Sequence, residues 1–149
     1  MRRTTLAAVL TLAPAVLLAG DASEGGLAFQ VIVNPSVKGA QVPRGALASV
    51  FLGEAKRWGD RSLVVPVDQS LRAPVRQAFS QEVLGKTIDA VQSYWTNRLL
   101  KEGIRARPPQ VKPSDAEVLN FVAANPGAIG YVSAGTPIPE TVKTVTIID

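Results

Sequence analysis

Apolar residues along the chain fall into short blocks whose period switches between strand-like and helix-like. Phe29, Val31, Ile32 and Val33 form a mostly apolar run that stops at Asn34-Pro35, the pattern of a buried strand entering a loop. After Gly39, Pro43 predicts a helix start at the first helical position, where a missing N–H costs nothing. Leu47, Val50 and Phe51 then share one helical face, and Gly53 ends that helix. Residues 62–67, "SLVVPV", predict a second short strand in which Pro66 marks an edge or a strand end.

A helix is expected from about Pro74, with Val75, Phe79 and Val83 four apart and Gly85 just past its end. Thr87 is a plausible cap for the next helix, whose stripe is Ile88, Val91, Trp95 and Leu99 and whose stop is Gly103. Residues 106–113, "ARPPQVKP", predict an extended connection that cannot be helical. Ser114 with Glu117 three residues on is a capping box opening a helix that buries Val118, Phe121 and Val122. "NPG" breaks it, and "AIGYV" and "VKTVTII" read as two further strands. Strands alternating with helices predict an α/β fold: a single domain with a mixed or parallel sheet flanked by helices. Such folds take ligands at strand carboxyl ends and helix N-termini.

The first residues have a different character. Met1-Arg2-Arg3 precedes an apolar run from Leu6 to Ala19, and Gly20 and Ala22 supply the small residues of a cleavage site. The expectation is a signal peptide over residues 1–22 and a mature domain over 23–149, hence a periplasmic or secreted location. The apolar run is too short for a membrane span, no later segment reaches that length, and no cysteine follows for a lipid anchor.

Without Arg2, Arg3 and Asp21 the chain has 14 basic and 11 acidic residues, a net charge of +3. The basic residues are scattered, apart from a small group at Lys101, Arg105 and Arg107, and read as a solvated surface. Nucleic-acid binding would want denser basic runs and more aromatics. With no His and no Cys, imidazole or thiolate zinc sites, Ser-His triads, Cys nucleophiles and disulfides are excluded. Asp115 and Glu117, two apart on a helix, do not face each other, and Ser36-Val37-Lys38 lacks the spacing of a Ser-Lys dyad. No enzyme and no cofactor is expected.

"VFLGEAKRWGDRSLVVPV", "RQAF", "YW" and "NPGAIGYV", in that order, resemble the phosphate-binding-protein-like domain of periplasmic ABC transporter substrate-binding proteins. The likeness runs from about Val31 to Ser133. It implies one lobe of a type II periplasmic binding protein, and hence phosphate or a related oxyanion as ligand and a link to transport. It also implies that Trp58 is a packing residue anchoring the loop into the next strand. Full members have two lobes that close on the anion, and the mature chain has the length of one. Phosphate-binding members carry a Gly-Ser-Gly-Thr turn where this chain has "DQSLRAPVRQAF", so only Ser70 offers a hydroxyl and Pro74 removes an N–H.

The candidate ligand-binding residues are Ser36, Ser70, Arg72 and Arg76, two hydroxyls and two guanidinium groups able to cradle an oxyanion. Alternatively Ser70 caps a turn while Arg72 and Arg76, four apart, share an exposed helix face. Gly127, Gly130 and Tyr131 read as turn and sheet residues, Tyr94 and Trp95 as core. The other function left open is a one-lobed scaffold in the cell envelope, whose uncovered face would bind an envelope protein or promote self-association.

Overall fold

A computed structural model describes residues 26–149; the expected signal peptide lies outside them. Six strands form one sheet: β1 (Phe29–Val33), β2 (Gln41–Pro43), β3 (Val65–Gln69), β4 (Gln110–Lys112), β5 (Ala128–Ser133) and β6 (Lys143–Ile148). Their order is β2-β6-β1-β5-β3-β4. β1 runs antiparallel to both β5 and β6, whereas β3 is parallel to β5 and to β4, and β2 is parallel to β6. The expected α/β fold with a mixed sheet is what forms. Its four α-helices are α1 (Arg44–Phe51), α2 (Pro74–Phe79), α3 (Ile88–Glu102) and α4 (Asp115–Ala124).

Strand alternation divides the core between the two faces of the sheet. Val31, Val33, Ile129 and Tyr131 point to one face and pack with Leu47, Val50 and Phe51 of α1 and Val75 and Phe79 of α2. Ile32, Val67, Ala128 and Val132 point to the other and pack with Val118 and Val122 of α4. Four aromatic rings centre the first layer. Phe79 stacks on Tyr131 at 3.9 Å between centroids, and Phe29 and Phe51 meet Phe79 edge-on at 5.3 and 4.7 Å. Gly130 lets α4 lie close on the second face: a Cβ there would stand 2.6 Å from Val67 Cγ1 and 2.9 Å from Val118 Cγ1.

Several boundaries differ from the sequence expectation. Pro43 ends β2 and stands one residue before α1, because residues 41–43 pair with Thr146–Ile148. The second strand is shifted toward Gln69. Leu63 is 59% exposed, whereas Asp68 and Gln69 are buried and pair with β4, so their polarity hid their place in the strand. Pro66, expected at an edge or a strand end, does lie at the start of β3, ahead of the first residue paired with β4. The helix from Pro74 passes into a π-helical turn over Ser80–Leu84 before Gly85 (φ 61°), with Val75, Phe79 and Val83 all buried. In α3, Thr87 caps as expected by accepting from the Ala90 N–H at 3.1 Å, but the buried stripe ends at Trp95 and Leu99 is 45% exposed. Ser114 caps α4 by accepting from the Glu117 N–H at 3.2 Å. No helix among the described residues is long and apolar enough to cross a membrane.

Candidate functional site

β3 delivers its last residues, Asp68 and Gln69, and the turn Ser70–Ala73 to the carboxyl end of the parallel strands. The turn closes by the Ala73 N–H donating to the Ser70 carbonyl at 2.9 Å, and the Ser70 N–H ties it to β4 through the Lys112 carbonyl at 3.1 Å. The Ser70 hydroxyl accepts weakly from the Arg72 N–H at 3.4 Å, so Ser70 does cap a turn. Arg72 lies in the turn and is exposed, before α2 begins.

Arg76 is elsewhere. It is only 6% exposed, and its Nη1 lies 3.1 Å from Asp68 Oδ2 while donating to the Gln69 carbonyl at 2.7 Å. Arg72 and Arg76 therefore share no exposed helix face, since four-residue spacing implies a common face only when both residues are helical. Asp68 also accepts from the Tyr131 hydroxyl and from the Gln69 N–H. Burial pushes the Asp68 carboxyl up from its usual range, opposed by the Arg76 charge and the two hydrogen bonds. Burial, with the neighbouring Asp68 carboxylate, likewise pushes the Tyr131 phenol up. A buried ion pair is neutral as a unit. Arg76 thus holds the Gln69–Ser70 backbone from beneath.

The network continues to α4. Gln69 Nε2 donates to Asp115 Oδ1 at 2.6 Å and to the Tyr131 carbonyl at 3.0 Å. Asp115 also accepts from the Ser133 N–H at 3.2 Å and the Thr136 hydroxyl at 3.1 Å. Burial raises the Asp115 carboxyl, but the hydrogen bonds from Gln69, Ser133 and Thr136 together outweigh it and hold it below the ordinary range. An ionised carboxylate therefore stands at the same end of the sheet as Arg72. Asp68, Gln69, Tyr131 and Asp115 were not singled out as a cluster from the sequence. The one signal was a polar Asp-Gln pair continuing directly from an apolar strand.

Ser36 is at the other end of the sheet. Its hydroxyl accepts from the Gly127 N–H at 2.9 Å, and Gly127 directly precedes β5, whereas Ser70 follows β3, which runs parallel to β5. The length of β5 separates the two ends by roughly 13 Å or more. Trp58 belongs to this end too. Its ring packs against the first core layer and its Nε1–H donates to the Gly127 carbonyl at 3.0 Å. Gly127 (φ 79°) has no room for a side chain, since a Cβ would come within 2.2 Å of the Leu63 carbonyl oxygen. Ser36, Trp58 and Gly127 thus fasten three loops together.

Among the hollows of the described surface, two stand out. One, of about 470 Å³, runs along Asp89, Gln92, Ser93, Thr96 and Asn97, a single face of α3 on which no second element converges. The other, of about 660 Å³, opens at the amino ends of β3 and β4, between Lys56–Pro66 on one side and Arg98, Arg105 and Arg107 on the other. Arg98 is oriented there by Glu102 at 2.8 Å and by donating to the Leu52 carbonyl at 2.7 Å, beside the Tyr94 hydroxyl on the same carbonyl. Trp95 is buried against Gly53 as expected of a core residue, whereas Tyr94 is only half-buried.

The fold is similar to solved phosphate receptors. An ABC-type phosphate transport receptor from Vibrio cholerae superposes with a TM-score of 0.61 at 18% identity, covering 80% of this chain and 46% of the receptor. PstS from Borrelia burgdorferi gives 0.63 at 18% identity, with 80% and 47% covered. A protein described as a phosphate ABC transporter substrate-binding protein from Clostridium perfringens, with phosphate bound, gives 0.62 at 17% identity, with 80% and 44% covered. The chain spans less than half the length of these structures. No protein-family model and no curated protein matches the sequence.

Proposed function

We propose that this chain is an exported, non-enzymatic module of the solute-binding type that holds phosphate or a related oxyanion at the carboxyl end of β3, in the service of transport. The observation supporting this is the fold itself, shared with structures described as phosphate receptors, one of them with phosphate bound. In this reading Ser70 and Arg72 touch the anion, and Arg76 acts through the backbone it supports. Ser36 belongs to the loop fastening at the opposite end. The N-terminal pattern over residues 1–22 supports export and a mature domain over 23–149.

A second reading, a one-lobed scaffold of the envelope that binds a partner or itself, is favoured by two particular facts. Asp68 already neutralises Arg76, and Asp115 places a carboxylate at the same end as Arg72. A thermal-shift titration with phosphate, sulfate and chloride, on the mature protein and on Arg72→Ala, separates the readings. A ligand at 100 times its Kd stabilises by about 2.7 kcal/mol, on the order of 10 °C in Tm for a domain of this size. A saturable rise with phosphate that is lost in Arg72→Ala supports the binding module. A flat response to every anion overturns it and leaves the scaffold, whose self-association sedimentation velocity then measures.

A further inference from the structure

The groove at the amino ends of β3 and β4 is a separate feature, at the opposite end of β3 from Ser70 and Arg72. It exists because the β3–β4 ladder begins only at Val67 and Gln110. Val64, Val65 and Pro66 therefore have no β4 beside them, and the chain before Gln110 forms the facing wall. Four cations line it, Lys56, Arg98, Arg105 and Arg107, and no carboxylate is among its lining residues. Glu102 pairs with Arg98 from just outside and is near enough to Lys56 to be stabilised by its charge. Among the described residues, Arg105, Arg107 and Lys56 are in no salt bridge.

Its walls are also apolar. Leu63 is 59% exposed there, alongside Val64, Val65, Pro66, Pro108 and Pro109. An incoming strand would find few backbone donors, because Pro66, Pro108 and Pro109 have no N–H and the Val64 N–H already donates to the Lys56 carbonyl at 3.1 Å. Recognition must therefore come from side chains. At about 660 Å³ the groove has the size of a drug-sized ligand site and exceeds what an inorganic tetrahedral anion can fill.

We propose that this groove binds an organic phosphate, a dianionic monoester head carried on an apolar body. Lys56, Arg105 and Arg107 take the head by charge-assisted hydrogen bonds, beside Arg98, whose guanidinium is already engaged by Glu102, Leu52 and Tyr94 and shapes the wall. The body lies on Leu63, Pro66 and Pro108 and removes their apolar surface from water. The head can belong to a soluble ester or to a lipid, so the test has two arms. One is a fluorescence titration with 1-naphthyl phosphate; the other is co-sedimentation with phosphatidylcholine vesicles made with and without phosphatidic acid.

Both arms use the mature protein, Arg105→Ala/Arg107→Ala, and Leu63→Asp. All three altered residues are exposed, and unchanged unfolding midpoints verify the fold. Saturable binding in either arm, weakened roughly tenfold or more by the double substitution and by Leu63→Asp, is the expected result and identifies the source of the head. No saturable binding in both arms, or binding that the variants leave intact, overturns the proposal. The inorganic-phosphate response that depends on Arg72 is unaffected by these variants, so the two sites fail independently.

Discussion

Arg76 at the carboxyl end of the parallel strands and Arg105 with Arg107 at the amino end use positive charge in opposite ways. At the carboxyl end, Arg76 is enclosed by Asp68, the Gln69 carbonyl and the Tyr131 network, and its Nη1 is committed to the Asp68 carboxylate and the Gln69 carbonyl. At the amino end, Arg105 and Arg107 stand exposed beside an apolar wall, and among the described residues no carboxylate lies within salt-bridge distance of either. The same residue type is structural in one place and available in the other. What decides is the distance to a buried carboxylate, which the residue's identity does not reveal.

The comparison breaks most visibly if the buried pair is broken. Arg76→Ala leaves Asp68 buried with its cation gone, and is expected to cost about 3–5 kcal/mol by urea unfolding, a large part of a small domain's stability. Tyr131→Phe removes only one donor to Asp68 and is expected to cost about 1–3 kcal/mol in the same assay. At the amino end, Trp58→Phe keeps most of the ring and loses the bond to the Gly127 carbonyl, for about 0.5–1.5 kcal/mol. Arg105→Ala/Arg107→Ala is expected to change stability by less than about 0.5 kcal/mol per substitution.

Asp115 sharpens the contrast through pH. Its folded-state pKa is lowered, so its contribution to stability is present above the unfolded value near 3.8 and is lost as pH falls through the folded value. Asp115→Asn should therefore be less stable than the parent at neutral pH, and the gap should close in acid. Unfolding midpoints measured from pH 7 down to pH 2, below the unfolded value, check this, and a gap independent of pH over that range would rule out a contribution from the carboxylate charge.

Much of the scaffold was legible because its apolar residues keep a clean period. β1, α4 and β5 carry their burial in the pattern of Val31–Val33, Val118 with Val122, and Ala128–Val132. β2 and β4 were not legible as strands, since three residues give no period and their pairing depends on partners more than a hundred residues away for β2 and more than forty for β4. The polar Asp68-Gln69 pair hid the end of β3, because burying a charge becomes tolerable only when Arg76 of the following helix and the distant Tyr131 converge on it. Candidate residues chosen by type met the same limit. Ser70 and Arg72 share one turn, whereas Ser36 and Arg76 are engaged in holding the fold. The basic groove was visible only as a small group at Lys101, Arg105 and Arg107, since Lys56 and Arg98 join it through the fold.

Arg76 and Asp68 form one buried, mutually neutralising unit. A double-mutant cycle measures that directly, with Asp68→Val, Arg76→Met and the pair together compared by urea unfolding. Each single substitution should be strongly destabilising, and the double should cost well under the sum of the two, with a coupling on the order of 2–3 kcal/mol. Small single effects that simply add would contradict the account and return Arg76 to the list of groups free to meet a ligand.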